Sequence, residues 1–308
     1  MSLDFAQKLI ASKIEAVYGT DSAPVGANAI ATRNLSVTAL EVDKLERNLD
    51  TGNLGNQGSA NVNKRTKHTF EVELAGAGGA GDVPGYGVLM RACGFSEIIT
   101  AATDVVYSPV SSGYESVSEY FDLDGILHSL LGGRGNVKFN INSGEYPFMN
   151  FDMTGLYVPP ADGNIVGADF SAFKAPEEVN NTNTITASFF GLSVIMKSLN
   201  VDMANVIKYR NLVGQEAVRL SNRKPSGQIV IEAPTLAQKD FFAEAVGNTT
   251  GGLIVTHGSA AGKIIQLEAP KVEIDAPTYS EDEGITMMTI GFRPLNVTTD
   301  DDVKLTIK

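Results

Sequence analysis

Three glycines stand at Gly76, Gly78 and Gly81 within FEVELAGAGGAGDVPGYGVLMRACGF, from Phe70 to Phe95. Their G-x-G-x-x-G spacing, after strand-like and before helix-like residues, outlines a turn that could cradle a dinucleotide pyrophosphate. The neighbouring residues argue against that chemistry. Glu71 and Glu73 wet one face of the preceding strand, whereas the first strand of a dinucleotide fold is buried on both faces. Asp82, Val83 and Pro84 separate the last glycine from the helix, so helix amides would not meet a phosphate. The segment reads instead as a flexible surface loop.

The other candidate chemistry is weaker. HGSAAGK, from His257 to Lys263, has phosphate-loop residue types, but its glycines are one residue too close. Ile264 also stands where a metal-binding Ser or Thr is required, so a polar hairpin end is expected. DLDG, from Asp122 to Gly125, begins like a calcium loop and lacks the remaining ligands. His68, His128 and His257 show no metal-ligand spacing, and the single Cys93 reads as a small buried thiol. No catalytic residue, cofactor or metal is therefore expected. Two acidic runs, SEDE at Ser280 to Glu283 and DDD at Asp300 to Asp302, fit either solvated loop charge or a functional acidic surface.

The elements that carry these residues are mostly strands. Phe70, Val72 and Leu74 alternate with Glu71 and Glu73, and Val137, Phe139 and Ile141 with Lys138, Asn140 and Asn142. Ile229 and Ile231, then Val272 and Ile274, repeat the pattern. Alternation with one wet face belongs to antiparallel sheets. Helical candidates are few: Phe5 to Tyr18, Tyr86 to Cys93 and Leu236 to Val246. Asp124-Gly125 predicts a tight hairpin turn. The 308 residues, 43% of them hydrophobic and 19% charged, suffice for one large or two ordinary domains. A net charge of −12 repels nucleic acid. Neither a signal-peptide h-region nor a run of 18 apolar residues occurs, so a soluble chain is expected.

An internal repeat organises the chain. NLSVTALEVDKLERNL near Leu35 answers SLNVDMANVIKYRNL near Leu199, each ending in Arg-Asn-Leu. TFEVELA then answers QIVIEAP, GVLMRACG answers DFFAEAVG, VKFNI answers VEIDA, and FDMTGLY answers MTIGFRP. Both helices close on a glycine, Gly94 and Gly247, where positive φ is expected. The second copy keeps strand and helix while lacking the glycine loop. The expected plan is an N-terminal arm (1–33), a first β domain (34–158), a linker (159–190) rich in proline, glycine and asparagine, and a second β domain (191–308).

A family resemblance follows from these segments. KIEAVYGTDSAPVGANAIATRNLSVTALE, FEVELAGAG, PGYGVLMRACGF, ESVSEYFDLDGILHSLLGGRGNVKF, PFMNFDMTGLY and NLVGQEAVRLSNRKPSGQIVIEAPTLAQKDFF, in this order, resemble phage tail tube proteins of the long, non-contractile-tailed type. The resemblance covers nearly the whole chain and includes no catalytic signature. It implies a mainly β fold of two tandem antiparallel barrel or sandwich domains, each flanked by a short helix. It also implies a structural subunit of the virion, made in the host bacterial cytoplasm, that joins edge strands into rings. Stacked rings would form a hollow conduit for DNA ejection. The implied partners are other copies of the chain, tail terminator and tail-tip proteins, a tape measure protein within the lumen during assembly, and DNA in passage.

Within that reading, the polar loop from Glu46 to Arg65 is the arm toward the adjacent ring, with Asn48, Asp50, Asn53, Asn56, Gln57 and Asn61 as contact candidates. Asn211 to Arg223 is its shorter counterpart. Glu281, Asp282 and Glu283 are candidates for an acidic lumen that repels phosphates. If a ring needs six barrels, three two-barrel chains supply them, with six chains as the alternative. A tail-tip or fibre-associated module binding a receptor or carbohydrate is the competing reading. The absence of Trp and an aromatic content of only 7% weigh against it.

Overall fold

The computed structural model describes residues 3–52 and 54–308. Strands dominate. The first half carries β1 (Lys8–Ile14), β2 (Ala29–Ile30), β3 (Arg33–Glu46), β4 (Ser59–Glu73), β5 (Phe95–Thr100), β6 (Asp104–Pro109), β7 (Val117–Leu123), β8 (Ile126–Asn142) and β9 (Phe148–Tyr157). After the short β10 (Ala161–Asp162) come β11 (Thr186–Phe189), β12 (Leu192–Ser193), β13 (Met196–Asp202), β14 (Asn205–Leu212), β15 (Gln215–Arg223) and β16 (Ser226–Glu232). The chain closes with β17 (Thr250–His257), β18 (Ile265–Ile274), β19 (Thr278–Asp282), β20 (Ile285–Pro294) and β21 (Lys304–Ile307). Two short helices, α1 (Gly87–Ala92) and α2 (Phe241–Val246), follow β4 and β16.

Every pairing between these strands is antiparallel. β4 lies between β3 and β9, both antiparallel to it, which removes the parallel unit a dinucleotide site requires. One continuous path runs β3–β4–β9–β8–β13–β16–β20–β19. Its inner face carries Phe70, Met149, Phe151, Val137, Phe139, Leu199, Val201, Ile229, Ile231, Met288 and Ile290, all nearly fully buried. The alternate residues of the same strands, among them Glu71, Asn150, Asn140, Asn200, Gln228 and Thr289, form a polar face. Behind the inner face, the first half of β8 pairs with β7 and β7 with β1. β18 pairs with β17 and with the C-terminal β21, which continues onto β6.

The expected hairpin turn is present: Asp124 and Gly125 join β7 to β8 with φ of 46° and 93°. That pair of positive values is the geometry Asp-Gly favours. The helix expected over Phe5 to Tyr18 is instead strand β1, paired residue for residue from Lys8 opposite Leu123 to Ile14 opposite Val117. Ile10, Ala11 and Ser12 are consecutive and all buried, so both faces of β1 are covered. A short apolar run of that kind fits a doubly buried strand as well as a helix. Gly94 has the expected positive φ of 82°; Gly247 does not, at −78°, and Asn248 takes that role at 49°.

GAGGAG is not a flexible surface loop. Gly78 donates its N–H to the Gly262 carbonyl at 2.8 Å. A Cβ on Gly76 would lie 2.2 Å from that same carbonyl oxygen. The two glycine motifs that suggested nucleotide chemistry therefore pack backbone to backbone, and glycine is required by close approach rather than by a phosphate. Gly262 in turn donates to the Lys308 carbonyl at 2.9 Å, so the loop unique to the first copy is tied to the end of the second.

Candidate functional site: an internal strand joint, two open edges and two arms

The two halves of the chain meet along β8 and β13. The register sets Lys138 opposite Asp202, Phe139 opposite Val201, Asn140 opposite Asn200, Ile141 opposite Leu199 and Asn142 opposite Ser198. On the inner face, Phe139, Val201, Ile141 and Leu199 are each at most 2% exposed. Burying four such side chains contributes on the order of 1.5–3 kcal/mol apiece. On the polar face, Lys138 Nζ pairs with Asp202 Oδ2 at 2.9 Å, and Asn136 Nδ2 donates to Asp202 Oδ1 at 2.7 Å. The joint closes at its ends with Ser143 N–H to the Lys197 carbonyl, 2.8 Å, and Met203 N–H to the Val137 carbonyl, 3.1 Å.

The same path ends in two edges. Among the described residues β3 pairs only with β4, and β19 only with β20. Such edges present a row of unpaired N–H and C=O groups. β19 is exposed from Thr278 to Glu281, and Tyr279, 58% exposed, rests on Phe242 with ring centroids 5.4 Å apart.

Two hairpins form arms. β3 and β4 continue past the sheet to a closed end, with register shifts after Arg33, Thr38 and Glu41 that bend the ribbon. A charge cluster stiffens it: Arg65 bonds Glu41 at 2.8 Å and Asp43 at 3.2 Å, and Lys67 pairs with Glu41 at 2.9 Å. These hydrogen bonds from Arg65 and Lys67 hold the Glu41 carboxyl below its ordinary value of 4.5. A depressed folded-state value adds stability above pH 4.5 that is lost as pH falls through the folded value. Replacing Glu41 by Gln is accordingly expected to cost about 0.5–1 kcal/mol at pH 7, in the range of exposed pairs. Urea titrations across pH 7 to 3 check this, since the gap between variant and wild type should close at the acid end.

The second arm is β14–β15, turning at Val213 and Gly214. Arg65 of the first arm stands over the Tyr209 ring of the second, 5.9 Å from its centroid. Both arms end in unpartnered apolar side chains, with Leu54 and Val213 fully exposed and Leu49 and Leu212 about half exposed.

The sequence-predicted residues fall in distinct places. Asn48, Asp50 and Asn56 are exposed at the closed end of the first arm. Gln57, half-buried, holds the loop closed by accepting the Leu49 N–H at 2.6 Å. Asn61 lies on β4 opposite Lys44, and Asn53 lies outside the described residues. The acidic candidates divide. Asp282 lies on the polar face and pairs with Lys197 at 2.6 Å. Glu281 shares the face of Tyr279 and accepts the Gly284 N–H, while Glu283 occupies the turn with φ 51°. Asp300 to Asp302 are structural: Arg223 pairs with Asp300 at 3.3 Å and with Asp302 at 3.2 Å, and Asp301 accepts the Val297 and Thr298 N–H groups at 2.9 Å. Cys93 is buried as expected.

Sequence reasoning missed the free edge at Tyr279 and the joint at Lys138 and Asp202. The repeat of NLSV in SLNV was the available signal, since it equates β3 with β13. Among the described residues no group of three or more His, Cys, Asp or Glu could hold a metal ion. No helix among them is long and apolar enough to cross a membrane.

A family model described as phage tail tube protein matches residues 6–299. The chain belongs to the phage tail tube protein family. A search of curated proteins finds no match. Membership gives this tail tube protein a structural role in the tail of the virion, and the mainly β, antiparallel fold agrees with it.

Proposed function

We propose that three copies of the chain close into a ring of six barrel-like units and that stacked rings form the conduit through which DNA leaves the capsid. The carrying observation is the eight-strand path with its internal joint. The first copy contributes β3, β4, β9 and β8, and the second contributes β13, β16, β20 and β19 in the matching order. Residues 34–158 and 191–308 are then the two units, with 1–33 as the N-terminal arm and 159–190 as the connection. A heterologous contact that repeats by rotation either closes into a ring or runs on as a filament. Edge strands left open at both ends of one path favour that kind of contact.

In this reading the polar face lines the lumen. Its carboxylates include Glu71, Glu73, Asp152, Asp202, Glu232, Asp275 and Asp282, its cations Arg33, Lys67, Lys138, Lys197 and Arg293 are each held by a carboxylate, and amides such as Asn140, Asn150 and Asn200 separate them. A wall of this composition repels phosphates weakly and offers them few free cations. Of the three acidic candidates only Asp282 belongs to it. The arms, ending in Leu54 and Val213, reach the next ring. Tail terminator, tail-tip and tape measure proteins are the further partners, and the chain performs no catalysis.

Electron microscopy of concentrated protein, with native mass spectrometry of released rings, tests the proposal. Hollow tubes and three-chain rings are expected. Six chains per ring would overturn the pairing of two units per chain. A monomer that does not polymerise even on tail-tip seeds would overturn the tube and return the receptor-binding module.

A further inference from the structure

Resting on the ring proposed above, we infer that the joint between β8 and β13 is the internal copy of the contact between chains, and that it sets the register of that contact. The open edge of β19 receives β3 of a second copy, antiparallel, with Thr278 opposite Thr38, Tyr279 opposite Val37, Ser280 opposite Ser36, Glu281 opposite Leu35 and Asp282 opposite Asn34.

The register follows from matched positions. SLNVD, from Ser198 to Asp202, answers NLSVT, from Asn34 to Thr38, and Leu199 and Leu35 are both buried. Phe70 pairs with Phe151 in the first copy and Ile229 with Ile290 in the second. Two residues earlier on the last of those strands, Met149 pairs with Phe139 and Met288 with Tyr279. Tyr279 thus occupies the place of Phe139, and β19 the place of the end of β8, so VKFNI answers residues of β19 and not, as the sequence suggested, VEIDA of β18. Phe139 is buried with β13 beside it, whereas Tyr279, with Phe242 against its ring but no strand beyond it, is 58% exposed.

The occupant is a second copy because only that strand restores what the joint shows. It offers Val37 to Tyr279, as Val201 is offered to Phe139, and on the polar face it sets Thr38 against Thr278, Ser36 against Ser280 and Asn34 against Asp282; Glu281 alone departs, standing opposite Leu35 where the joint sets Ile141 opposite Leu199. Strand direction also alternates correctly around the whole path, so β19 meets β3 antiparallel without any reversal. One group stands at the free edge of the incoming β3: Lys8 Nζ donates to the Leu35 carbonyl at 3.0 Å. Pairing with β19 displaces that flexible ammonium.

Engineered cysteines read the register directly. Directly opposite Cβ atoms lie about 4.5–5.5 Å apart and diagonal ones about 7–8 Å, while a disulfide needs about 3.5–4.5 Å. Assembled Ser36→Cys/Ser280→Cys protein, mildly oxidised, is expected to give covalent dimers and closed trimers on non-reducing gels. Thr38→Cys/Ser280→Cys and Asn34→Cys/Ser280→Cys, displaced by two residues on the same face, should remain mostly monomeric. Cys93, being buried, does not interfere. Rings that form normally but cross-link only through a displaced pair, or through none, would overturn the register and leave the ring intact. Failure of the wild-type chain to form rings would overturn both.

Discussion

Arg223→Ala is expected to lower the free energy of unfolding by about 3–5 kcal/mol, the cost of stranding a buried charge. Arg223 is 11% exposed and Asp302 6%, and the pair is joined at 3.2 Å. The same guanidinium bonds the Val110 carbonyl at 3.1 Å and Asp300 at 3.3 Å, so one side chain ties β15 to the β6–β7 connection and to the approach to β21. Removing it leaves Asp302 without its cation in a site closed to water, and Asp300 keeps only Ser111, which donates both its N–H and its hydroxyl. A double variant, Arg223→Met with Asp302→Leu, should recover much of the loss because neither desolvated charge remains. Urea denaturation of the single and double variants, compared at pH 7, measures both effects. A loss below about 1 kcal/mol for the single variant would place the pair among exposed ion pairs instead.

Shortening the first arm is expected to abolish tubes while leaving the folded chain intact. Arg47 donates its N–H to the Gly58 carbonyl at 3.3 Å, so residues 48–57 can be replaced by Asn-Gly across an existing strand pair. The deleted loop buries almost nothing of the chain itself, with Leu54 and Leu49 exposed, so little intramolecular packing is lost. Closing a shorter loop changes the entropy by only about 0.6 kcal/mol per halving of length. Thermal unfolding of the variant should therefore match wild type within a few degrees, about what 1 kcal/mol shifts in a chain this size. Sedimentation and electron microscopy should show single rings without stacks. Tubes of normal length from the shortened chain would remove the arm from the contact between rings.

The second outcome bears on the tip chemistry as well as its length. Polar residues such as Asn48 and Asn56 were the visible candidates, yet Leu54 and Val213 are the fully exposed apolar side chains at the two ends. Apolar side chains held out on ribbons have no reason to be there in an isolated chain, and burial against a neighbour supplies one.

Much of the architecture was legible from alternation and repetition. Phe70, Val72 and Leu74 against Glu71 and Glu73 announced a strand with one wet face, and the match of NLSV to SLNV announced that β3 and β13 are alike. Asp124-Gly125 announced its turn, because so few residue pairs accept two positive φ values. Local patterns failed where a strand is buried on both sides. Lys8 to Ile14 shows no alternation because Ile10, Ala11 and Ser12 are buried on both faces of the strand, and a helix became the natural reading. They failed again at the glycine loops, where spacing suggested a ligand and the real neighbour of Gly76 and Gly78 was the distant backbone at Gly262.

The residues by themselves determined the class of the molecule: mostly antiparallel strands with few helices, and an acidic balance. Those properties depend on period, charge and turn chemistry, which act over a few positions. Tertiary structure decided what lies far apart in sequence. It placed β8 against β13, left β3 and β19 open, paired Asp282 with Lys197 and committed Asp300 and Asp302 to Arg223. Backbone hydrogen bonding is the same for every residue, so a sequence states that a strand exists without stating which partner satisfies it. That choice is made by burial of side chains across the whole sheet, and here it leaves two edges open.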